Sequence, residues 1–498
     1  MTQTAHLVLS HATGKIMNIA DIYVQAYDRM IPCAGARCTD WLSGLALIDA
    51  EVHRHLRWGT LQSLQSWVVN IPDRSAELFG VLRSLHDILS AGDTSRGAYW
   101  RPFASSPWTT NALTGRLNTN ATSGALVYSR TISGTPGIYV DTLEGLLPKL
   151  RRIPEHLWRQ ITIRRITGDQ PDIRLPFPPP SETSPTRPML IAQLPFLSCR
   201  EDLNWERRFD DLGSYYLVAP ETGRLRSSIA EALDNLDDSG AYLGILSESC
   251  LNDDLLEEWK LQLQKKRRPP TSNLTWLMVG TGPVRAEGPA CYHRSRPPNR
   301  AVLLHRETGK VLLTQDKQYG FTLDVKQQQI YGALIGSEKP YEHGLGEFIA
   351  QGETLNLLES ASGRYAVLIC EDLGRLLTLG ATAMAAGVSH ILVPVLSTAM
   401  HGTNWASKAA VLLAEHAGAA VAISNSLAID RFTPKEYAPG KQEDIRPPTL
   451  IVSIPERRWP VLGRRSSYGP KLIPSEALPV IPPLSDSDDA LGPRCELL

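Results

Sequence analysis

Short apolar runs alternate with helical patterns in the C-terminal part of the chain. The runs are nearly continuous in apolar residues, as expected of strands buried on both faces, and they occupy 189–194, 241–246, 275–280, 300–305, 365–370, 390–395 and 420–426. Between several of them, in 223–240 and 406–418, apolar residues recur at helical spacing. This alternation predicts an α/β fold in which helices cover the sheets.

The N-terminal part has a different pattern. Apolar residues recur at helical spacing in 40–58 and 75–92, which predicts two amphipathic helices. The stretch 104–136 is rich in Gly, Thr, Ser and Asn and predicts turns or short strands. We therefore expect a smaller, mostly helical N-terminal domain, and its residues indicate no function.

Prolines mark two boundaries. Seven prolines fall within the 21 residues 168–188, and such a segment can form neither a helix nor a central strand. We interpret it as a stiff, extended linker. The predicted organisation is an N-terminal domain at 1–167, the linker at 168–188, an α/β domain at 189–465 and a Pro-rich, mobile tail at 466–498.

Charge and cysteine usage narrow the class of protein. The chain has 51 Lys and Arg against 52 Asp and Glu, which argues against a dedicated nucleic-acid or membrane-surface protein. Its seven cysteines are irregularly spaced, which argues against a disulfide framework and favours a reducing compartment. We find no signal-peptide pattern and no apolar run of about 18 residues, so a cytoplasmic protein is expected.

Weaker motifs indicate no metal or cofactor. Cys33, Cys38, His53 and His55 do not have a standard zinc-site spacing. The glycines near 280 do not form a dinucleotide fingerprint, and no phosphate-binding loop motif occurs. We therefore expect neither a metal nor a cofactor.

Three polar residues with complementary chemistry stand at or near strand ends: Glu248, Lys317 and Cys370. Taken singly, Glu248 is explained as a solvated acid at a strand end, and Cys370 as a small hydrophobic residue of the core. Together they supply a thiol nucleophile, a base and a cation. A buried carboxylate can take the thiol proton, and an ammonium group can stabilise the oxyanion that forms when a thiolate attacks a carbonyl or nitrile carbon.

The order and context of these residues resemble the nitrilase (carbon–nitrogen hydrolase) superfamily, whose triad runs Glu, Lys, Cys. The resemblance covers about residues 189 to 460. The segments that carry it occur in family order: MLIAQLPF, ALDNLDDSGAYLGILSES, NRAVLLHRETGKVLLTQDK, GRYAVLICEDLGR, HILVPVLSTAMHGTNW and LAEHAGAAVAISNS. The fourth segment is similar to the version in the glutamine-hydrolysing modules of NAD synthetases.

The resemblance implies a four-layer α-β-β-α sandwich, commonly paired through a helical face, and therefore a homo-oligomer. It also implies that Glu248 deprotonates Cys370, that the thiolate attacks a small amide or nitrile substrate, and that a thioester forms and is hydrolysed. Lys317 and the backbone N–H of Glu371 would hold the oxyanion.

The sequence departs from the family pattern near the site. Ser247 precedes the general base where the family usually has Pro. Lys317 fits a strand-turn-strand context after Gly309, but Lys339 is an alternative catalytic Lys because its distance along the chain to Glu347 reproduces the usual spacing to a supporting Glu.

If Lys317 is the catalytic Lys, 318–347 contains an insertion, and the supporting Glu is either Glu342 or Glu347. His401, Asn404 and Trp405 follow a strand end and are candidate pocket residues.

Two other functions stay open at this point. The nitrilase-like part is alternatively a sensor or scaffold that binds without turnover, coupled to the N-terminal domain or to a protein partner of that domain. A third alternative is that the nitrilase-like part delivers ammonia or an acyl group to a partner, although no part of the sequence resembles a synthetase domain.

Overall fold

The computed structural model describes residues 18–31, 45–90, 116–118, 124–129, 143–147, 150–166, 190–285, 296–329, 342–360, 363–398, 404–429, 450–453, 461–462 and 473–474. The chain divides into two compact units, the first built mainly on Met1–Arg165 and the second on Ile166–Met384 and Val388–Ile481. The predicted linker at 168–188 and most of the predicted tail lie outside the described residues. The predicted domain bounds therefore stay predictions.

The first unit is mostly helical in its described residues, as predicted. Its helices are α1 Ile19–Met30, α2 Leu45–Trp58, α3 Leu61–Asn70, α4 Ala76–Ser90, α5 Leu143–Leu146 and α6 Glu155–Trp158, and its strands are β1 Ala125–Tyr128, β2 Leu150–Ile153 and β3 Ile161–Arg165. Strands β1 and β2 form an antiparallel pair. The pattern-based helices at 40–58 and 75–92 correspond to α2 and α4.

Local capping and packing explain why these helices form. Asn18 caps α1, since its side chain accepts from the Asp21 N–H at 3.0 Å while the Asp21 carboxylate accepts from the Asn18 N–H at 2.9 Å. The apolar faces of α1 and α4 meet in one core, where Tyr23, Phe79 and Leu82 are buried. This burial is the main favourable term for a unit of short elements.

The second unit alternates strands and helices, as the sequence pattern predicts. Its strands are β4 Ile191–Gln193, β5 Leu203–Asp210, β6 Gly213–Pro220, β7 Leu243–Ile245, β8 Trp276–Pro283, β9 Asn299–His305, β10 Val311–Asp316, β11 Thr322–Leu323, β12 Leu345–Glu347, β13 Leu355–Ser360, β14 Gly363–Val367, β15 His390–Val395, β16 Ala420–Asn425, β17 Leu450–Ser453, β18 Val461–Leu462 and β19 Ile473–Pro474. Its α-helices are α7 Thr222–Asp238, α8 Asp253–Lys265, α9 Ala381–Ala385 and α10 Trp405–Ala417.

The strands of this unit form two main sheets and a small one. The first sheet has the order β10-β9-β8-β7-β4-β19, the second contains β18-β17-β16-β15-β14-β13, and the small sheet is β11-β12-β6-β5. Strands β4, β7 and β8 run parallel, as do β14, β15 and β16. Strands in these parallel stretches are buried on both faces, which explains their continuous apolar sequences.

Packing joins the sheets to each other and to the helices. Trp276 of β8 lies edge-on to Tyr365 of β14, with ring centroids 5.1 Å apart, and Tyr365 stacks on His390 of β15. Helices α7 and α8 bury Ile229 and Trp259 against the first sheet. These contacts agree with helix-covered sheets, and the four-layer sandwich stays a prediction.

Several elements were not predicted from the sequence pattern, among them α1, α3, β13, β17 and the β5–β6 hairpin. Strands β5 and β6 form a long antiparallel hairpin between β4 and α7, and β6 pairs in parallel with β12. Strand β5 alternates more and less buried positions and has no continuous apolar run, whereas β6 contains the apolar run YYLVA, which was not among the predicted strands.

Candidate active site

The carboxyl ends of strands from the two main sheets lie side by side. Glu248 follows β7 of the first sheet, and its carboxylate Oε2 accepts from the backbone N–H of Leu396, just after β15 of the second sheet, at 3.0 Å. Gln193 at the end of β4 donates to the carbonyl of Asn425 at the end of β16, at 3.0 Å. Carboxyl ends of parallel strands are where α/β folds commonly place ligand sites.

Lys317 lies in the same place because of the β9–β10 hairpin. Gly309 has φ +64°, a conformation that suits glycine in the tight turn between the two strands. The register of the hairpin pairs Arg300 with Asp316, and Lys317 follows directly, with its backbone N–H donating to the Asn299 carbonyl at 2.9 Å. The residue is 1% exposed, so its charge needs buried partners.

Those partners are two carboxylates. Lys317 Nζ donates to Glu248 Oε1 at 2.8 Å and to Glu347 Oε2 at 2.7 Å. Asn299 Nδ2 donates to Glu248 Oε1 at 2.9 Å and to Glu347 Oε1 at 3.1 Å. The backbone N–H of Phe321 donates to Glu347 Oε2 at 3.0 Å. The result is a buried cluster of two acids, one cation and neutral donors.

Cys370 stands on a strained turn three residues beyond the end of β14. Its φ is +49°, in the left-handed region that is uncommon for a residue with a Cβ, and it begins the short 3₁₀ helix Cys370–Gly374. Strain of this kind occurs at functional sites, where it fixes the direction of a side chain. The side chain is buried.

The surrounding charges set the protonation of the thiol and the ammonium group. Burial raises the pKa of the Cys370 thiol well above its usual value, and the negative charge of Glu248 and a hydrogen bond to it raise the pKa further, whereas Lys317 lowers it. Burial alone would lower the pKa of Lys317, but Glu248 and Glu347 raise it well above its usual value. At neutral pH the thiol is therefore protonated and the lysine is charged.

Asp372 ties the Lys317 loop to the Cys370 turn. Its carboxylate accepts from the backbone N–H of Tyr319 at 2.9 Å, from that of Gln318 at 3.2 Å and from that of Ile369 at 3.2 Å. Burial raises its pKa to about 7, although Lys317 and these N–H groups act in the opposite direction. A carboxyl group is thus held within two residues of the thiol.

Replacing Asp372 by asparagine is expected to change how stability depends on pH. The folded pKa of about 7 lies above the ordinary value of 3.8, so the neutral acid stabilises the fold fully below pH 3.8 and loses this contribution as pH rises through 7. Between pH 5 and pH 8, wild type should lose about 2–3 kcal/mol relative to Asp372→Asn, which has no charge to bury. Urea unfolding at both pH values measures the difference.

The matched control for this experiment is Asp324→Asn. Asp324 is an exposed acid that accepts from the Gln327 N–H at 2.7 Å, so its replacement by Asn keeps an acceptor oxygen for this bond and removes no buried charge. The stability of this variant should follow that of wild type across the pH range. A difference between wild type and Asp372→Asn that is constant with pH would contradict the expected titration.

The remaining predicted residues have the following positions. Glu371 pairs with Arg375 at 2.7 Å on the 3₁₀ turn. Glu347 contacts Lys317, whereas Glu342 is exposed, and Lys339 lies outside the described residues.

Of the three candidate pocket residues, His401 lies outside the described residues. Asn404 caps α10 by accepting from the Ser407 N–H at 2.8 Å, which gives its side chain a local structural role. Trp405 is 43% exposed.

Three residues of the site were not identified from the sequence. Asn299 and Asp372 were not singled out because single polar residues beside strands are common. Tyr216 was missed with the β5–β6 hairpin. It is the parallel-strand partner of Glu347, it is buried, and burial and the charge of Glu347 raise its pKa well above the usual value. The position of Asp372 two residues after Cys370 was the one local signal available.

Comparisons with known proteins concern the fold. No protein-family model matches the sequence, and no curated protein matches it. Among solved structures, the chain is similar to the glutamine-dependent NAD+ synthetase of Acinetobacter baumannii, with 15% identity, a TM-score of 0.35, and coverage of 57% of this chain and 45% of that one. It is also similar to Saccharomyces cerevisiae Nit3, a member of branch 10 of the nitrilase superfamily, with 13% identity, a TM-score of 0.34, and coverage of 57% and 88%.

A third similar structure is an amidase from Nesterenkonia sp., with 15% identity, a TM-score of 0.34, and coverage of 58% of this chain and 90% of that one. The matched region thus spans less than half of the synthetase. Members of the nitrilase superfamily are found among the similar solved structures. At these identities and TM-scores they assign no role to any residue of this chain.

Among the residues that the structure describes, no helix combines the length and the apolar character that crossing a membrane would require.

Proposed function

We propose that this protein hydrolyses a C–N bond other than a peptide bond, most simply that of a small amide, with Cys370 as nucleophile. The observation that carries the proposal is the buried contact of Lys317 with Glu248 at 2.8 Å beside the Cys370 thiol. Thiol, carboxylate and ammonium are the three groups that acyl transfer from an amide needs. No cofactor enters this scheme.

The first half of the reaction makes a thioester. Glu248 takes the proton of Cys370 as the sulfur attacks the substrate carbonyl carbon, so the nucleophile forms only when substrate is present. The negative charge that develops on the substrate oxygen is held by Lys317 and the backbone N–H of Glu371. Lys317 has three N–H donors, two of which bind Glu248 and Glu347. Glu248 then gives the proton to the nitrogen, the C–N bond breaks, and ammonia or an amine leaves.

The second half regenerates the thiol. Glu248, ionised again, takes a proton from a water molecule, and the hydroxide oxygen attacks the thioester carbon. The C–S bond breaks, the acid leaves, and the proton on Glu248 returns to the sulfur. Glu347 stays charged throughout and keeps Lys317 protonated, since its charge raises the pKa of that lysine.

Alkylation of Cys370 by iodoacetamide between pH 6 and pH 9 tests the proposal without a known substrate. A thiol that reacts only as thiolate slows about tenfold for each pH unit below its pKa. A thiol served by a base is expected to slow much less, because Glu248 removes the proton during the attack. Peptide mass spectrometry gives the rate for each cysteine separately.

Internal references and one variant complete this test. Cys199 is half-buried and interacts with the carboxylates of Glu201 and Asp202, so its slope should be the same in wild type and in Glu248→Gln, and the fully buried Cys250 should stay inert. In Glu248→Gln, Cys370 should adopt the tenfold slope. Inert Cys370 in folded wild type, or a slope that Glu248→Gln leaves unchanged, would reject the proposal and favour a module that binds without turnover.

A further inference from the structure

Asn299 lies between the two carboxylates of the site. Its Nδ2 is 2.9 Å from Glu248 Oε1 and 3.1 Å from Glu347 Oε1. A primary amide nitrogen carries two N–H groups, so one is available for each carboxylate. The orientation of the amide is fixed by charge, because the flipped amide would place its oxygen against two carboxylate oxygens.

This orientation leaves the other end of the amide buried. Asn299 is 4% exposed, and its Oδ1 has no hydrogen-bond partner among the residues that the structure describes. A buried, unpaired acceptor is unfavourable, whereas an apolar side chain of similar size would carry no such penalty. Packing alone therefore does not explain an asparagine at this position. The feature that an apolar residue such as leucine would lack is the pair of N–H donors.

The charges around Asn299 explain what those N–H groups do. Glu248 and Glu347 carry two negative charges and Lys317 one positive charge, so the buried cluster has a net charge of −1. Lys317 donates one hydrogen bond to each carboxylate, and Asn299 also donates one to each. Among the residues that the structure describes, Cys370, Tyr216 and Asp372 are titratable groups that interact electrostatically with this cluster. None of these three adds a positive charge.

We propose that Asn299 is a positioning residue that keeps both carboxylates ionised and keeps Lys317 shared between them. Glu248 then stays free to take the Cys370 proton, so this inference rests on the proposed function. Without the two N–H groups, Glu248 Oε1 would keep only Lys317, Glu347 Oε1 would lose the Asn299 donor, and Glu347 Oε2 would keep Lys317 and the Phe321 N–H. Two like charges held close together take up a proton more readily than one. A protonated pair makes a poor general base.

The test is the pH dependence of Cys370 alkylation in Asn299→Leu. Leucine is close in size to asparagine and has no donor. The acid limb of the rate profile is expected to move up by about one pH unit, which corresponds to an approximately tenfold slower reaction near neutral pH. Well above the acid limb, where both carboxylates are ionised in variant and wild type alike, the two rates should converge.

A second substitution separates positioning from a structural role. In the double variant Asn299→Leu with Glu347→Gln, one of the two negative charges is gone, so the acid limb should return at least halfway to the wild-type position. Loss of packing would not be repaired by removing that charge. The inference is rejected if Asn299→Leu lowers the alkylation rate by the same factor at every pH. It is also rejected if the acid limb of the double variant does not move back towards the wild-type position.

Asn299→Ser provides the same test if the leucine variant does not fold. Its single O–H serves one carboxylate, so its acid limb should lie between those of wild type and Asn299→Leu. An Asn299→Ser profile identical to wild type would also reject the inference. Failure of the proposed function is distinguishable, because it is seen in the absence of any Asn299 variant, as an unreactive Cys370 in wild type or a slope that Glu248→Gln leaves unchanged. Failure of this inference leaves wild type reactive and sensitive to Glu248→Gln, while the Asn299→Leu profile does not move.

Discussion

Cys370→Ala is expected to abolish turnover of any amide that wild type hydrolyses, with a loss of at least about 10³-fold in kcat. Alanine removes the only atom that forms the thioester, whereas binding of the substrate depends on groups that the substitution leaves in place. The strained turn at φ +49° stays accessible to alanine to the same degree as to cysteine. The measurement is steady-state hydrolysis over a panel of small amides, with ammonia release as the signal.

The matched control is Cys250→Ala. Cys250 is fully buried in the same unit, and its thiol donates to the Ser247 carbonyl at 3.0 Å. Its pKa is raised by burial to about 12, so it is a neutral core thiol. Activity should survive this substitution, and urea unfolding should show both variants folded. Retention of wild-type turnover by folded Cys370→Ala would remove the thioester mechanism from consideration.

Lys317→Met is expected to destabilise the second unit by about 3–5 kcal/mol. Methionine fills a similar volume but leaves Glu248 and Glu347 buried without a cation, and an uncompensated buried charge is costly. The side chains of Lys317 and Glu248 are only 2% and 4% exposed, so solvent screens their interaction weakly. Urea unfolding at pH 7 gives the change in free energy of unfolding.

Additional variants distinguish uncompensated charge from lost packing as the cause of the destabilisation in Lys317→Met. The triple variant Lys317→Met, Glu248→Gln, Glu347→Gln has no buried charge at these positions and should recover most of the lost stability. Lys266→Met, which breaks an ion pair with the 58% exposed side chain of Asp234, should cost less than about 1 kcal/mol. An equal loss of unfolding free energy in Lys317→Met and Lys266→Met would contradict the role of Lys317 in compensating buried charge.

Hydrophobic patterning located the parallel strands of the two main sheets and β9 beside them. Continuous apolar runs identified β4, β7, β8, β9, β14, β15 and β16 because strands buried on both faces have no other composition available. The β5–β6 hairpin was not predicted. Strand β5 alternates and has no continuous apolar run, so a search for period-two alternation would have been required to find it. The apolar run YYLVA of β6 was overlooked.

At the site, the sequence by itself determined which chemical groups stand near strand ends. A turn glycine at 309 and the hairpin around it indicated Lys317, and an apolar run ending in a thiol indicated Cys370. The turn glycine and the apolar run are local features of the chain, so they can be read from the sequence without knowledge of distant contacts. The choice between Glu342 and Glu347 as the partner of Lys317 was left open by the sequence, because both lie in one insertion.

Only the tertiary structure decided which of these groups share one buried cluster. Glu347 contacts Lys317 from 30 residues away, and the backbone of Leu396 contacts Glu248 from 148 residues away. Asn299 and Asp372 acquire their partners in the same way. Hydrogen bonds and Coulomb energies depend on distance and burial in space, and neither quantity is encoded by the spacing of apolar and polar residues along the chain.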